Sequence, residues 1–216
     1  MAISTAAKEF SIVLLGDFNP AILQPFWFSL NGLIRSSEAT DANVQIIHKE
    51  TAAWSIDWFR LVSNDERLQI TTELEAYFEP LRDLAVGALI LLEHTPIKAV
   101  GLNFGGHFQL ADQASYDRFG HEIAPKSRWR SVSRAKTQRL VITGARADEL
   151  PGVRNVTVSA TNKYPYCVHV HANEHAEVPG GTGEKPASWV ARHIADNYAP
   201  AQGRFEEVQT ELFEGF

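Results

Sequence analysis

The fold is decided by the stretch Phe78-Glu-Pro-Leu-Arg-Asp-Leu-Ala-Val-Gly-Ala-Leu-Ile-Leu-Leu-Glu-His-Thr-Pro-Ile-Lys-Ala-Val-Gly-Leu-Asn-Phe104. Its apolar period changes at Thr95-Pro96. Before that dipeptide, apolar residues recur at three- and four-residue steps, which predicts a helix over residues 78–92. After it, the run Ile97 to Phe104 is typical of a strand. The following Gly105-Gly106 is expected to interrupt this strand.

The same change of period occurs further toward the N-terminus. Residues 10–18, 44–48, 53–63 and 67–72 have strand-like patterns, and Asn64-Asp65 predicts a hairpin between the last two. The pair Asn19-Pro20 offers a cap and a first helical residue, so a helix is expected after the first strand. The order β-α-β-β-α-β over residues 10–108 is that of a ferredoxin-like fold.

A second set of elements follows the first. It comprises a short helix near residues 112–121, strands at 140–143, 153–158 and 166–170, and a closing helix interrupted near Pro200 and Gly203. We therefore predict an α+β protein of two ferredoxin-like lobes, each with an antiparallel sheet and helices on one face. The first lobe would span residues 1–110 and the second residues 111–216.

Composition narrows the class of protein. Of the 216 residues, 44% are hydrophobic and 21% are charged, which is typical of an ordered globular chain. The longest uncharged apolar run is too short to cross a bilayer, and the single cysteine, Cys167, excludes an intrachain disulfide. We expect a cytoplasmic protein with no membrane contact. The glycine-rich run 180–185 lacks a Gly-Lys-Ser/Thr ending, so we interpret it as a connector and not as a phosphate loop.

Four stretches resemble a sporadically distributed, uncharacterised bacterial protein family. They are a helix start at Pro25-Phe-Trp27, a strand with tryptophan in the first half, the strand Ala99-Val-Gly-Leu-Asn103, and the closing segment Phe205 to Phe213. None of them is a catalytic motif. The resemblance implies a bacterial protein with an accessory role, such as one in a mobile-element or phage-defence locus, and it assigns no functional residues.

The strongest interaction candidate is a basic segment, residues 126–139, which holds six basic residues and no acidic one in a chain of net charge −6. Arginines beside a tryptophan suit phosphates and planar groups. The segment could bind nucleic acid or another anionic ligand, form an ordinary solvated face, or dock on the acidic C-terminal region of another subunit. Its candidate ligand-binding residues are Lys126, Arg128, Trp129, Arg130, Arg134, Lys136 and Arg139.

A second candidate is the strand Cys167-Val-His-Val-His171. Alternation along a strand places Cys167, His169 and His171 on one face, where they could hold a transition metal. The other interpretation puts the intervening valines in the core and the histidines on a solvated or subunit-facing sheet surface, and we favour it, so we predict no metal site.

These patterns contain no convincing catalytic constellation. We therefore predict a non-enzymatic protein-interaction scaffold without catalytic residues or cofactor. It would form a homo-oligomer or bind another protein through its edge strands and its separated charges. The first alternative is a nucleic-acid or anionic-ligand binder that uses the basic segment. The second is a metal-dependent enzyme that uses Cys167, His169 and His171.

Overall fold

The structure is a computed structural model that describes residues 3–180 and 183–216, so Gly181 and Thr182 of the predicted connector lie outside it. Its strands are β1 (Ser4–Gly16), β2 (Asn43–Ile47), β3 (Thr51–Ser55), β4 (Arg60–Asn64), β5 (Arg67–Thr72), β6 (Ile97–Gln109), β7 (Arg139–Gly144), β8 (Gly152–Ala160) and β9 (Cys167–Glu177). Its helices are α1 (Pro25–Leu30), α2 (Ser36–Thr40), α3 (Phe78–Leu91), α4 (Gln113–Ile123) and α5 (Pro186–Phe213). The chain is therefore a mixed α and β protein.

All nine of these strands form one antiparallel sheet in the order β2-β3-β4-β5-β1-β6-β9-β8-β7. The prediction of two ferredoxin-like lobes is wrong, because β6 pairs with β9 along eleven residues, from Ala99↔Glu177 to Gln109↔Cys167. The second set of strands thus extends the first sheet and does not build another one. The predicted boundary at residue 110 falls directly after β6, and the division into domains at residues 1–110 and 111–216 stays a prediction.

The helices cover one face of the sheet. Phe10 of β1 and Phe104 of β6 stack with ring centroids 4.6 Å apart, and Tyr198 of α5 meets Phe10 edge-on at 5.2 Å. At the β2 end, the indole nitrogen of Trp54 donates to Leu23 O at 2.7 Å, so the tryptophan is buried without losing a hydrogen bond. Burial of these rings fixes the helices on the sheet.

Local predictions succeeded where the pattern was short-range. The helix predicted over 78–92 is α3, and the hairpin at Asn64-Asp65 joins β4 to β5, with Asn64 Oδ1 accepting from Arg67 N at 2.7 Å. The strand predicted over residues 53–63 is wrong, because a turn at residues 56–59 separates β3 from β4.

Two predicted interruptions are also wrong. β6 continues through Gly105-Gly106 to Gln109, because both glycines pair with β1 and β9. α5 runs through Pro200 without a break, with Tyr198 and Ala201 buried on either side. Packing of that helix on the sheet outweighs the lost backbone hydrogen bond. Over the described residues, no helix is long and apolar enough to cross a membrane.

Candidate ligand-binding cleft

The basic segment leaves α4 and crosses to β7. Asp112 caps the start of α4, with its Oδ1 accepting from Ser115 N at 2.8 Å. At the other end, Lys126 Nζ donates to Gly120 O at 2.6 Å and to Thr137 Oγ1, so the lysine ties the segment to the helix. Burial lowers the pKa of Lys126. This side chain fixes the shape of the segment and is not a free cation.

The remaining basic side chains of the segment point to solvent. Most basic residues elsewhere form ion pairs, for example Lys98 with Asp17 at 2.9 Å. Within residues 3–180 and 183–216, no ion pair involves the following side chains of the segment, all of which are exposed: Arg128, Arg130, Arg134, Lys136 and Arg139. Trp129 stands among them with 58% of its surface exposed. The segment is therefore a concentrated, unneutralised positive surface.

This surface borders a cleft of about 730 Å³ between α4, the basic segment and the strands β8 and β9. Arg134 and Lys136 line the cleft at an exposed part that we call its mouth, and His121 of α4 also lines the cleft. The half-buried Tyr116 and Ile123 form part of the walls. The cleft thus combines cationic and apolar groups, and its volume is within the range of small-molecule sites.

One carboxylate also lines the cleft. Asp117 Oδ1 accepts a hydrogen bond from Gln113 Nε2 at 2.9 Å, one turn earlier on α4. Its negative charge opposes only part of the positive charge of Arg134 and Lys136. The structure therefore brings three of the predicted binding residues, Lys126 among them, to the cleft itself. Arg128, Trp129, Arg130 and Arg139 do not line it.

A second group of ionisable side chains lies on the opposite, helix-free face of the sheet. The structure confirms that Val168 and Val170 are buried while His169 and His171 are half-buried on the other side of β9. Two residues that the sequence did not point to join them from neighbouring strands, His107 of β6 and Glu9 of β1. We call Glu9, His107, His169 and His171 the histidine face.

The histidine face is held by one short contact and by stacking. His169 Nε2 lies 3.0 Å from Glu9 Oε1, and this hydrogen bond lowers the pKa of Glu9. The His107 and His169 rings have centroids 4.7 Å apart. Burial lowers the pKa values of His107 and His171, which favours their neutral forms.

Across the described part of the chain, no group of three or more histidine, cysteine, aspartate or glutamate side chains is placed to hold a metal ion. Cys167 is buried, and burial raises the pKa of its thiol. The geometry therefore favours the interpretation in which the histidines line a polar sheet surface.

Glycines make room for the polar groups of this face. A Cβ atom on Gly105 would lie 2.5 Å from Glu9 Oε1, and one on Gly101 would lie 2.9 Å from Asn173 Nδ2. Asn173 Nδ2 in turn donates to Asn103 Oδ1 at 2.6 Å across the β6–β9 pair.

The connection between β7 and β8 is anchored by a buried polar cluster that sequence reasoning missed. Arg146 forms an ion pair with Asp148, and its Nη2 lies 3.5 Å from His193 Nε2. The imidazole stacks on Trp189 with centroids 4.8 Å apart. Burial, followed by the charge of Arg146, lowers the pKa of His193 to about 4. Arg146, Trp189 and His193 are buried, so the cluster anchors the connection to α5.

Comparison of the sequence with protein-family models and with curated proteins found no match in either. The resemblance to the uncharacterised bacterial family therefore stays a prediction.

Proposed function

We propose that this protein binds an anionic ligand at the mouth of the cleft, through Arg134 and Lys136, with the arginines of the basic segment adding a long-range attraction. The observation that carries this proposal is the set of exposed cations that no acidic side chain of the described residues neutralises, beside a cleft large enough for a small molecule. Clustered unpaired cations beside a concave surface raise the local concentration of anions.

A cleft fits a compact anion better than a long polyanion. Arg134 and Lys136 both line one cleft, whereas a nucleic acid would need cations that follow its backbone over several nucleotides. Arg128, Trp129 and Arg130 lie on the exposed part of the segment, outside the cleft. Nucleic-acid binding is therefore an outcome that the experiment has to distinguish.

The experiment compares two double variants of equal charge. Arg134→Ala/Lys136→Ala removes two cations from the cleft, and Arg60→Ala/Arg67→Ala removes two exposed arginines from β4 and β5 at the other end of the sheet. Calorimetric titration with inorganic pyrophosphate should show binding that weakens with salt and falls about tenfold or more in the cleft variant alone, because each charged contact is worth about 1.5–3 kcal/mol.

Equal losses in both variants would show a general charge effect and would contradict a cleft site. A parallel titration with a single-stranded oligonucleotide includes Arg128→Ala/Arg130→Ala. If the oligonucleotide binds at least tenfold more tightly than pyrophosphate, and if it depends on Arg128 and Arg130 but not on Arg134 and Lys136, the ligand is nucleic acid on the exposed segment and the proposal is wrong.

A second candidate function, self-association, is favoured by the edge strand β7. Val141 and Ile142 are 46% and 58% exposed, and β7 pairs with β8 in unbroken register on its other side. The opposite edge strand, β2, has a register shift between Val44 and Ile46, which is a common protection against strand pairing. A regular apolar edge can pair antiparallel with the same edge of a second copy.

Light scattering after size-exclusion chromatography tests this second candidate. We expect a homodimer at micromolar concentration that Val141→Lys/Ile142→Lys converts to a monomer. The matched variant Val44→Lys/Ile46→Lys, on the shifted edge, should leave the dimer unchanged. A monomeric unmodified chain would rule out pairing through β7.

A further inference from the structure

The walls of the cleft include apolar surface that an inorganic anion would not contact. Behind the cationic mouth, Tyr116, Ile123 and Ala135 present half-buried apolar surface, and Val158 and Val168 of the sheet lie beneath them. A small hydrophilic anion at Arg134 and Lys136 would leave these walls in contact with water. An apolar group attached to the anion would displace that water, which is favourable in proportion to the area covered.

We propose that the ligand of the cleft is an amphipathic anion, with a phosphate- or carboxylate-like head at Arg134 and Lys136 and an aliphatic or aromatic body between α4 and the strands β8 and β9. This inference rests on the proposed anion binding and adds the chemical class of the ligand. The head is placed at the mouth because the cations Arg134 and Lys136 line the cleft there. The body is placed beside Tyr116 and Ile123 because these side chains are apolar and half-buried, and the two other charged groups of the lining already have partners: Gln113 contacts Asp117, and Lys126 donates to Gly120 O.

Gly120 provides a way to fill the cleft without removing a charge. It lies in α4 and lines the cleft, and a Cβ atom built on it meets no atom within 4 Å. Its carbonyl, which accepts from Thr137 Oγ1 at 3.1 Å, is retained in any substitution. Gly120→Leu should therefore fold normally and occupy the space of the apolar body.

Gly203 supplies the matched control. It lies in α5, outside the cleft, and a Cβ atom on it also meets no atom within 4 Å. Gly203→Leu makes the same change in side-chain volume and in helix propensity at a position that no cleft ligand touches. Any difference between the two leucine variants then reports on the cleft.

The probes are octyl phosphate, inorganic phosphate and 1-octanol, each titrated by calorimetry. The unmodified chain should bind octyl phosphate at least about tenfold more tightly than either of the other two, since burial of two methylene groups suffices for that factor. Gly120→Leu should reduce octyl phosphate to the affinity of inorganic phosphate, whereas Gly203→Leu should change nothing.

The results separate this inference from the proposed function. If inorganic phosphate binds as tightly as octyl phosphate, or if Gly120→Leu leaves the preference for octyl phosphate intact, anion binding stands and the amphipathic ligand is wrong. If no phosphate compound binds, the proposed function itself fails.

An additional arm distinguishes a free amphiphile from a membrane surface. The unmodified chain should not sediment with vesicles of phosphatidylserine, because the cleft admits one molecule and not a bilayer. Sedimentation with vesicles that persists in Gly120→Leu would place the anionic group on a lipid surface and would overturn the inference.

Discussion

The two ends of the sheet differ in how well they are covered. At the β2–β5 end, Trp54 of β3 is buried and packs edge-on against Phe28 of α1 and against Phe59. At the β7–β9 end, Val141 and Ile142 are exposed, and the basic segment stands away from the sheet over a cleft. Both edge strands expose apolar side chains, but the strand next to the edge is buried at the first end and mostly half-buried at the second, beside the cleft. Binding should be sought where a regular sheet is left partly uncovered, because stability does not explain that arrangement.

The largest expected effect comes from the same substitution at both ends. Trp54→Ala removes a fully buried indole and its hydrogen bond to Leu23 O, and it should lower the free energy of unfolding by about 3–5 kcal/mol. Trp129→Ala, at an exposed position in the basic segment, should change it by less than about 0.5 kcal/mol. Urea denaturation of both variants measures the two values, and comparable losses would contradict the contrast between the ends.

If Trp54→Ala fails to fold, Trp54→Phe gives the same comparison at smaller cost. Phenylalanine keeps most of the apolar volume and loses the hydrogen bond to Leu23 O. Its destabilisation should still exceed that of Trp129→Phe. A smaller loss at position 54 than at position 129 would be incompatible with the described packing.

The second prediction concerns pH and the anchor of the β7–β8 connection. His193 has a pKa of about 4 in the folded chain, against about 6.5 when unfolded. Between these values the unfolded chain binds more protons, so the free energy of unfolding should fall as the pH is lowered through this window, by up to roughly 3 kcal/mol. Above about pH 6.5 this contribution is constant.

The His193→Gln variant isolates that contribution. His107 and His171 also have lowered pKa values and act in the same direction, so the unmodified chain alone would not identify the responsible group. Urea denaturation at about pH 7 and about pH 5 should show a smaller loss of stability in the variant. An identical pH dependence would mean that His193 does not titrate as a buried neutral imidazole.

The third prediction lies between the two ends, on the histidine face. Gly105→Ala would place a Cβ atom 2.5 Å from Glu9 Oε1 and close to Glu9 Cγ, so Glu9 has to move away from His169. We expect a loss of about 1–3 kcal/mol. The NMR titration of Glu9 should also change, because the hydrogen bond with His169 that lowers the pKa of this carboxyl is lost. An unchanged stability together with an unchanged titration would show that Glu9 does not lie over Gly105.

Sequence patterns predicted the local elements of this chain better than their arrangement. The period of apolar residues located α3 within one residue of its end, because a helix is determined by neighbours three and four positions apart. The pairing of β6 with β9 joins residues about 70 positions apart, and no local period reports such a contact. The prediction of two lobes failed at this point, since the same strands can form one sheet or two.

The candidate site shows the same limit. Alternation along β9 correctly put His169 and His171 on one face, but Glu9 reaches His169 from β1, at a distance of 160 positions in the chain. The basic segment was visible as composition. Its position over a cleft was not, because that position depends on the contacts of Lys126 with α4.

The smallest expected effect tests whether the cleft is open in solution. Alanine in place of glycine within a helix gains about 0.5–1 kcal/mol when the added methyl group meets no other atom. Gly203→Ala meets this condition on α5, and Gly120→Ala meets it only if the cleft remains open beside α4. We expect equal gains from both substitutions in urea denaturation. A gain at position 203 with a loss at position 120 would mean that the basic segment closes onto α4 and that the uncovered end of the sheet is covered in solution.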